Sequence, residues 1–115
     1  MITRLPGSVP TRCRAVIHGG LVSTVATSPD KAAGIYEQTR LALASIEASL
    51  AEAGTGKSRI LTATVYITDM AHKAEMDRAW GEWVDPANPP MRACVGVALE
   101  GRDLIEIVVT AALSS

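Results

Sequence analysis

Residues 104–112 form a run that is apolar at nearly every position, with Glu106 as its only charge. Such a run favours a strand that is buried on both faces of a sheet. The whole sequence has 115 residues, which is enough for one domain and too few for two. We therefore expect a single domain over residues 1–115, built around a sheet whose interior strand needs cover on both sides.

The first half of the chain predicts a hairpin followed by a long helix. Residues 14–18 and 21–26 are rich in β-branched side chains and flank Gly19-Gly20, a dipeptide suited to a tight turn. Apolar residues then recur with a period near 3.6 between Ile35 and Ala53, and Gly54 follows as a helix terminator. Residues 1–12 contain two prolines and a glycine, and we expect them to be a loose leader.

The second half predicts a strand, a second helix and two final strands. Residues 60–68 alternate between apolar and polar side chains, and Asp69 can cap the helix that follows. In that helix Trp80 and Trp83 share a face with Met76, which favours a core position over a binding platform. Prolines end the helix, and residues 92–99 and 104–112 are predicted to pair as a hairpin.

The resulting order is ββαβαββ, an α+β fold with a mixed sheet and both helices on one face. Two helices cannot cover both faces of such a sheet. Because the last strand requires cover on both sides, we expect a second copy of the chain to supply it within a closed symmetric ring.

Composition excludes several classes of function. Eleven Lys and Arg against twelve Asp and Glu give a net charge of −1, and only 3% of residues are aromatic, so we expect no nucleic-acid partner. The N-terminus lacks the apolar run of a secretory signal, and no segment is long enough to span a bilayer. We therefore expect a cytoplasmic protein that does not engage a membrane.

Three local motifs carry no chemistry. Residues 54–58, Gly-Thr-Gly-Lys-Ser, resemble the end of a phosphate-binding loop, but Ala51 stands where its first glycine belongs and a helix precedes the segment instead of a strand. His18 and His72 have no partner at metal-ligand spacing, so no metal is expected. Cys13 and Cys94 are too far apart for a redox motif.

Two charges inside the final strands are more informative. Arg92 opens one strand and Glu106 lies inside the other. Each could be a strand-end or ion-paired residue, or a functional group, because an inward charge is costly unless it is paired or used. An arginine fork can hold a carboxylate, and a glutamate can activate a water. In a direct hairpin that pairs Leu99 with Leu104, the two would lie on opposite faces.

Several runs resemble the RidA (YjgF) family of reactive imine and enamine deaminases. The most specific is Pro-Met-Arg-Ala-Cys at residues 90–94 followed by Ile-Glu-Ile at 105–107; residues 36–46, 50–54 and 60–70 add to it. The resemblance implies a chorismate-mutase-like fold, a homotrimer with clefts between subunits, and no cofactor. It also implies that Arg92 holds the substrate carboxylate, that Cys94 lines the pocket and that Glu106 positions water.

The family commonly carries Ser-Gly-Gln after the second strand, where this chain has Val25-Ala26-Thr27. We assign Thr27 to substrate binding at this altered wall. The implied reaction is hydrolysis of 2-imino or 2-enamino acids, such as 2-aminoacrylate, to 2-keto acids and ammonia. The alternative is a non-catalytic trimer that binds small carboxylate metabolites in the same cleft.

Overall fold

The computed structural model describes residues 1–113 as one mixed sheet with two helices. It also contains two short 3-10 turns, at Lys57–Arg59 and Met70–His72. The elements in chain order are β1 (Thr3–Pro6), β2 (Cys13–His18), β3 (Leu21–Thr27), α1 (Ile35–Ala53), β4 (Ile60–Ile67), α2 (Lys73–Trp83), β5 (Met91–Gly96) and β6 (Ile105–Ala112).

The six strands are ordered β1-β2-β3-β6-β4-β5 across the sheet. All neighbours are antiparallel except β4 and β5, which are parallel and connected through α2. The predicted interior strand is thus confirmed as β6, which lies between β3 and β4. The predicted α+β class is also confirmed, with two helices on a mixed sheet.

Local signals explain where the elements turn and stop. Gly19 and Gly20 have φ values of 61° and 81°, the left-handed backbone that a tight hairpin turn needs. Gly54, with φ of 93°, ends α1 and places its own N–H on the carbonyl of Ala51. Asp69 accepts a hydrogen bond from the N–H of Ala71 and so begins the turn that leads into α2.

The core lies between the helices and one face of the sheet. Leu43, Ile46 and Leu50 of α1 are completely buried against alternate residues of β4 and β6. From α2, Met76 is fully buried, whereas Trp80 and Trp83 are only partly buried at the edge of the core. The two tryptophans therefore support the core from its margin.

Two predictions about the strands were wrong. The leader is not loose throughout, because Thr3–Pro6 forms β1 against the free edge of β2. The final strands are not a hairpin, because β4 lies between β5 and β6 and β5 already ends at Gly96. Both errors have one cause: strand pairing depends on which edges are free in the assembled sheet, and the local sequence does not specify it.

The face of the sheet opposite the helices has no cover in the described chain. Residues paired across the strands on this face are small, β-branched or polar. Several apolar side chains remain exposed on this face and at the edges of the sheet. Exposed examples are Val16, Leu21, Leu61, Met91 and Val95. An apolar surface of this extent on a sheet is typical of a protein contact surface.

Candidate functional site

Glu106 and Thr27 meet on the uncovered face. They are register partners across β3 and β6, so their side chains project from the same side of the sheet, where Tyr66 pairs with Glu106 from β4. Both line an open cavity of about 370 Å³ between the end of β3, the loop after β1 and the loop before β6. The structure therefore brings these two predicted site residues together.

The carboxylate of Glu106 is available for chemistry. Within residues 1–113 it takes part in no hydrogen bond or ion pair, and it is not a buried unsatisfied group, so it reaches solvent in the cavity. Arg12, Glu100 and Asp103 also line this cavity. Arg14 lines it too, and Asp103 is paired with Lys31, so charges of both signs surround the carboxylate of Glu106.

Arg92 lies on the other side of the sheet, against α2. Its Nη2 donates to Oδ1 of Asp77 at 2.8 Å, and its Nη1 lies 3.7 Å from the sulfur of Met76. The guanidinium carbon is 5.3 Å from the ring centroid of Trp80, within the range of a cation–π interaction. Only 20% of the side chain remains exposed, so Arg92 is held in place by α2.

Asp77 bridges two cations. Its second oxygen, Oδ2, accepts a hydrogen bond from Lys73 at 2.7 Å. Burial alone would raise the pKa of Asp77, but the hydrogen bonds from Lys73 and Arg92 outweigh burial and hold that pKa below its usual value. With two cations and one anion, this cluster keeps a net positive charge that can attract a carboxylate.

Cys94 is on the same side as Arg92, two residues along β5. It pairs with Val65 of β4 and packs against the core cluster. Both cysteines are free thiols.

The four predicted site residues thus fall into two groups within one chain. Arg92 and Cys94 face the helices, while Glu106 and Thr27 face the cavity. A direct hairpin would place Arg92 and Glu106 on opposite faces of the sheet, and the structure does so for another reason. Arg92 is aligned with Ala63 of β4, whereas Glu106 is aligned with Tyr66. Because Ala63 and Tyr66 are three residues apart, their side chains project from opposite faces.

Gln38 supports the cavity and was missed as a functional residue in the sequence. It is fully buried in α1, and its Nε2 donates to the carbonyls of Ala33 and Arg102 at 3.1 and 3.2 Å. Its Oε1 accepts from the N–H of Leu104 at 2.9 Å. One amide therefore ties the loop after β3 to the loop before β6. One feature of the sequence could have indicated this role: Gln38 lies three residues after Ile35, so a polar amide falls on the apolar face of the helix.

Two negative findings concern the described residues. No helix within residues 1–113 combines the length and apolar character needed to cross a membrane. The same residues contain no group of three or more His, Cys, Asp or Glu side chains placed to hold a metal ion.

Comparison with known proteins places these features in a family. The model of the family described as "Endoribonuclease L-PSP" matches residues 10–113. A RutC family protein from Haemophilus ducreyi is 43% identical over 99% of this chain and 98% of its own length. The crystal structure of a YjgF family member from Neisseria meningitidis superposes with a TM-score of 0.92 at 34% identity, covering 100% of this chain and 97% of that one.

A further relative carries an activity in its name. The Escherichia coli protein named "Putative reactive intermediate deaminase TdcF" is 30% identical over 88% of this chain and 84% of its own length. Sequence match, near-complete coverage and shared fold agree, and the chain therefore belongs to the RidA/YjgF protein family.

Proposed function

We propose that the protein hydrolyses reactive 2-imino and 2-enamino acids to 2-keto acids and ammonia, in a cleft between copies of the chain in a homotrimer. The observation that carries the proposal is the free carboxylate of Glu106, beside Thr27, in an open cavity. The deaminase name of one relative supports the same reaction class.

The proposed chemistry needs only water and two charged side chains. A 2-imino acid is a zwitterion at neutral pH, with an iminium group at one end and a carboxylate at the other. Glu106 takes a proton from water while the water oxygen bonds to the iminium carbon, and the C=N π electrons move to nitrogen. Glu106 then returns this proton to the nitrogen of the carbinolamine. The C–N bond breaks as the C=O bond forms, and the hydroxyl proton passes to Glu106 and from there to the released ammonia, which leaves as ammonium.

In the proposed site Arg92 and Glu106 come from two different chains, because within one chain they lie on opposite faces of the sheet. Arg92 lies on β5, an edge strand of the sheet, where a neighbouring copy can approach it. Asp77 and Met76 occupy one N–H direction each, so further guanidinium N–H groups remain for a substrate carboxylate. In this arrangement Glu106 of one copy meets the iminium carbon, and Arg92 of the next copy meets the carboxylate.

The primary experiment measures clearance of an imino acid. A 2-imino acid is generated enzymatically and trapped by semicarbazide, and the protein competes with the trap. We expect wild type to lower semicarbazone formation and Glu106→Gln to lose that effect by roughly 10²- to 10⁴-fold. Glu75→Gln, which makes the same change at an exposed position of α2, is the matched control and retains activity.

Two outcomes would contradict the proposal. Wild type that clears no imine but binds 2-keto acids, with unchanged affinity in Glu106→Gln, would favour the non-catalytic binder. Sedimentation at micromolar concentration tests assembly: we expect three times the 12.1 kDa chain mass, and a monomer would exclude the shared cleft.

The family description also raises ribonuclease activity. A net charge of −1 and four aromatic residues offer little for phosphate neutralisation or base stacking. We expect no retention of single-stranded RNA at physiological salt.

A further inference from the structure

Lys31 reaches the candidate site from the loop that joins β3 to α1. This loop is held by its own side chains: Oγ of Ser28, which is fully buried, donates to the carbonyl of Asp30, and Oδ1 of Asp30 accepts from the N–H of Ala32. These hydrogen bonds hold the backbone at Lys31 in one conformation. The cavity lining itself does not include Lys31, so its effect on a ligand must pass through another residue.

The ammonium group of Lys31 has two partners at the cavity. It donates to Oγ1 of Thr27 at 3.1 Å and to Oδ1 of Asp103 at 2.5 Å. Asp103 is only 16% exposed and comes from the loop before β6. Gln38 ties these same two loops together, so the contact between Lys31 and Asp103 is reinforced by a buried amide.

This arrangement fixes the role of the Thr27 hydroxyl. A lysine ammonium can only donate hydrogen bonds, whereas a hydroxyl carries one proton and two acceptor positions. Because Thr27 accepts from Lys31, its single proton is directed elsewhere, and Thr27 lines the cavity that also contains Glu106. A ligand at this wall is therefore met by a hydroxyl that donates.

We propose that Lys31 is a positioning residue that makes Thr27 a hydrogen-bond donor to an acceptor oxygen of the ligand. The inference rests on the proposed function for the identity of that ligand, a small 2-keto or 2-imino acid. It predicts that the protein binds ligands with a carboxylate or carbonyl oxygen next to Thr27 more tightly than ligands without one. Lys31 produces this preference although it does not line the cavity itself.

The test is a double-variant cycle read by ligand binding. Affinity for 2-oxobutanoate is measured by calorimetry for wild type, Lys31→Met, Thr27→Val and the double variant. We expect Lys31→Met to weaken binding about tenfold, the size expected for one charge-assisted hydrogen bond. In the Thr27→Val background the same change should weaken binding less than about twofold, because the residue through which Lys31 acts is gone.

Controls separate positioning from charge and from folding. Lys31→Arg keeps a cationic donor and should recover most of the affinity lost in Lys31→Met. Lys57→Met removes a lysine that lies 5.3 Å from the ring of Trp83, away from the cavity, and should leave affinity unchanged. Thermal melting checks each variant, and Lys31→Gln replaces Lys31→Met if the latter fails to fold.

Equal weakening by Lys31→Met in both backgrounds would overturn the proposal, since Lys31 would then act without Thr27. No weakening in either background would overturn it as well, and so would wild type that binds no 2-oxobutanoate. Wild type that binds the keto acid but clears no imine would defeat the deaminase proposal alone, because the binding cycle would still report on Lys31.

Discussion

The two charged residues of the final strands are treated differently by the fold. Arg92 is enclosed by α2, with an ion pair to Asp77 and a contact with Trp80, whereas Glu106 faces an open cavity without a protein partner among residues 1–113. Both are charges within largely apolar strands, and both avoid the cost of unpaired burial, Arg92 by pairing and Glu106 by access to solvent. An enclosed charge is ready to hold a ligand in a fixed geometry, and a free carboxylate is ready to accept a proton.

The strongest test of this contrast mixes two inactive chains. Arg92→Ala and Glu106→Gln should each be inactive alone. If the site pairs Glu106 of one copy with Arg92 of the next, co-expressed variants regain about a quarter of wild-type activity, because a random neighbouring pair has both intact residues about once in four. Clearance of the imino acid is the measurement.

The control for mixing carries both substitutions on one chain. Co-expression of the double variant with Glu106→Gln supplies no intact Glu106 and should give no activity. If the first mixture also stays inactive although mass spectrometry shows mixed trimers, the cleft is not shared in this way.

The second prediction separates stability from activity. Arg92→Ala should lower the free energy of unfolding by about 1 kcal/mol, since a partly exposed ion pair and its packing on Trp80 are lost. Glu106→Gln should leave it unchanged within error, because the carboxylate has no partner to lose among residues 1–113. Chemical denaturation of both variants checks this, and equal losses would erase the contrast between the two residues.

The third prediction concerns the support of the cavity. Gln38→Leu leaves the N–H of Leu104 and two carbonyls without their partner, so we expect a loss of about 2 to 4 kcal/mol in the free energy of unfolding. Thr39→Val is the matched control in the same helix. In the described part of the chain the Thr39 hydroxyl bonds only to the carbonyl of Ile35, and its loss should cost below about 1 kcal/mol. If Gln38→Leu and Thr39→Val lowered the free energy of unfolding by similar amounts, Gln38 would stabilise only its own helix and not the two loops.

The smallest effect is a pH dependence on the Arg92 side. The pKa of Asp77 is lower in the folded chain than in the unfolded one, so its stabilising contribution is present above about pH 4 and is lost as pH falls through the folded pKa. Because the carboxylate is 38% exposed, we expect well under about 1 kcal/mol at physiological salt. Asp77→Asn should flatten the decline in unfolding free energy between pH 5 and pH 3 measured in wild type; an unchanged slope would contradict the assignment.

Much of the fold could be predicted from local patterns. The period of α1, the left-handed Gly54 and the Gly19-Gly20 turn are each decided by residues near one another in the chain, and each is found where predicted. Lys31 gave no sequence signal, because its role depends on meeting Asp103 from a loop 72 residues away.

Local patterns in the sequence specify which residues form the two helices and the interior strands, and they show Arg92 and Glu106 as charges within apolar surroundings. Periodicity and turn chemistry are local, so a single sequence carries them. The tertiary structure alone decided that β4 inserts between β5 and β6, that β1 joins the edge of β2, and that Arg92 and Glu106 lie on opposite faces. Strand order follows from which edges and apolar faces meet in the folded chain, and those contacts join segments that are distant in sequence.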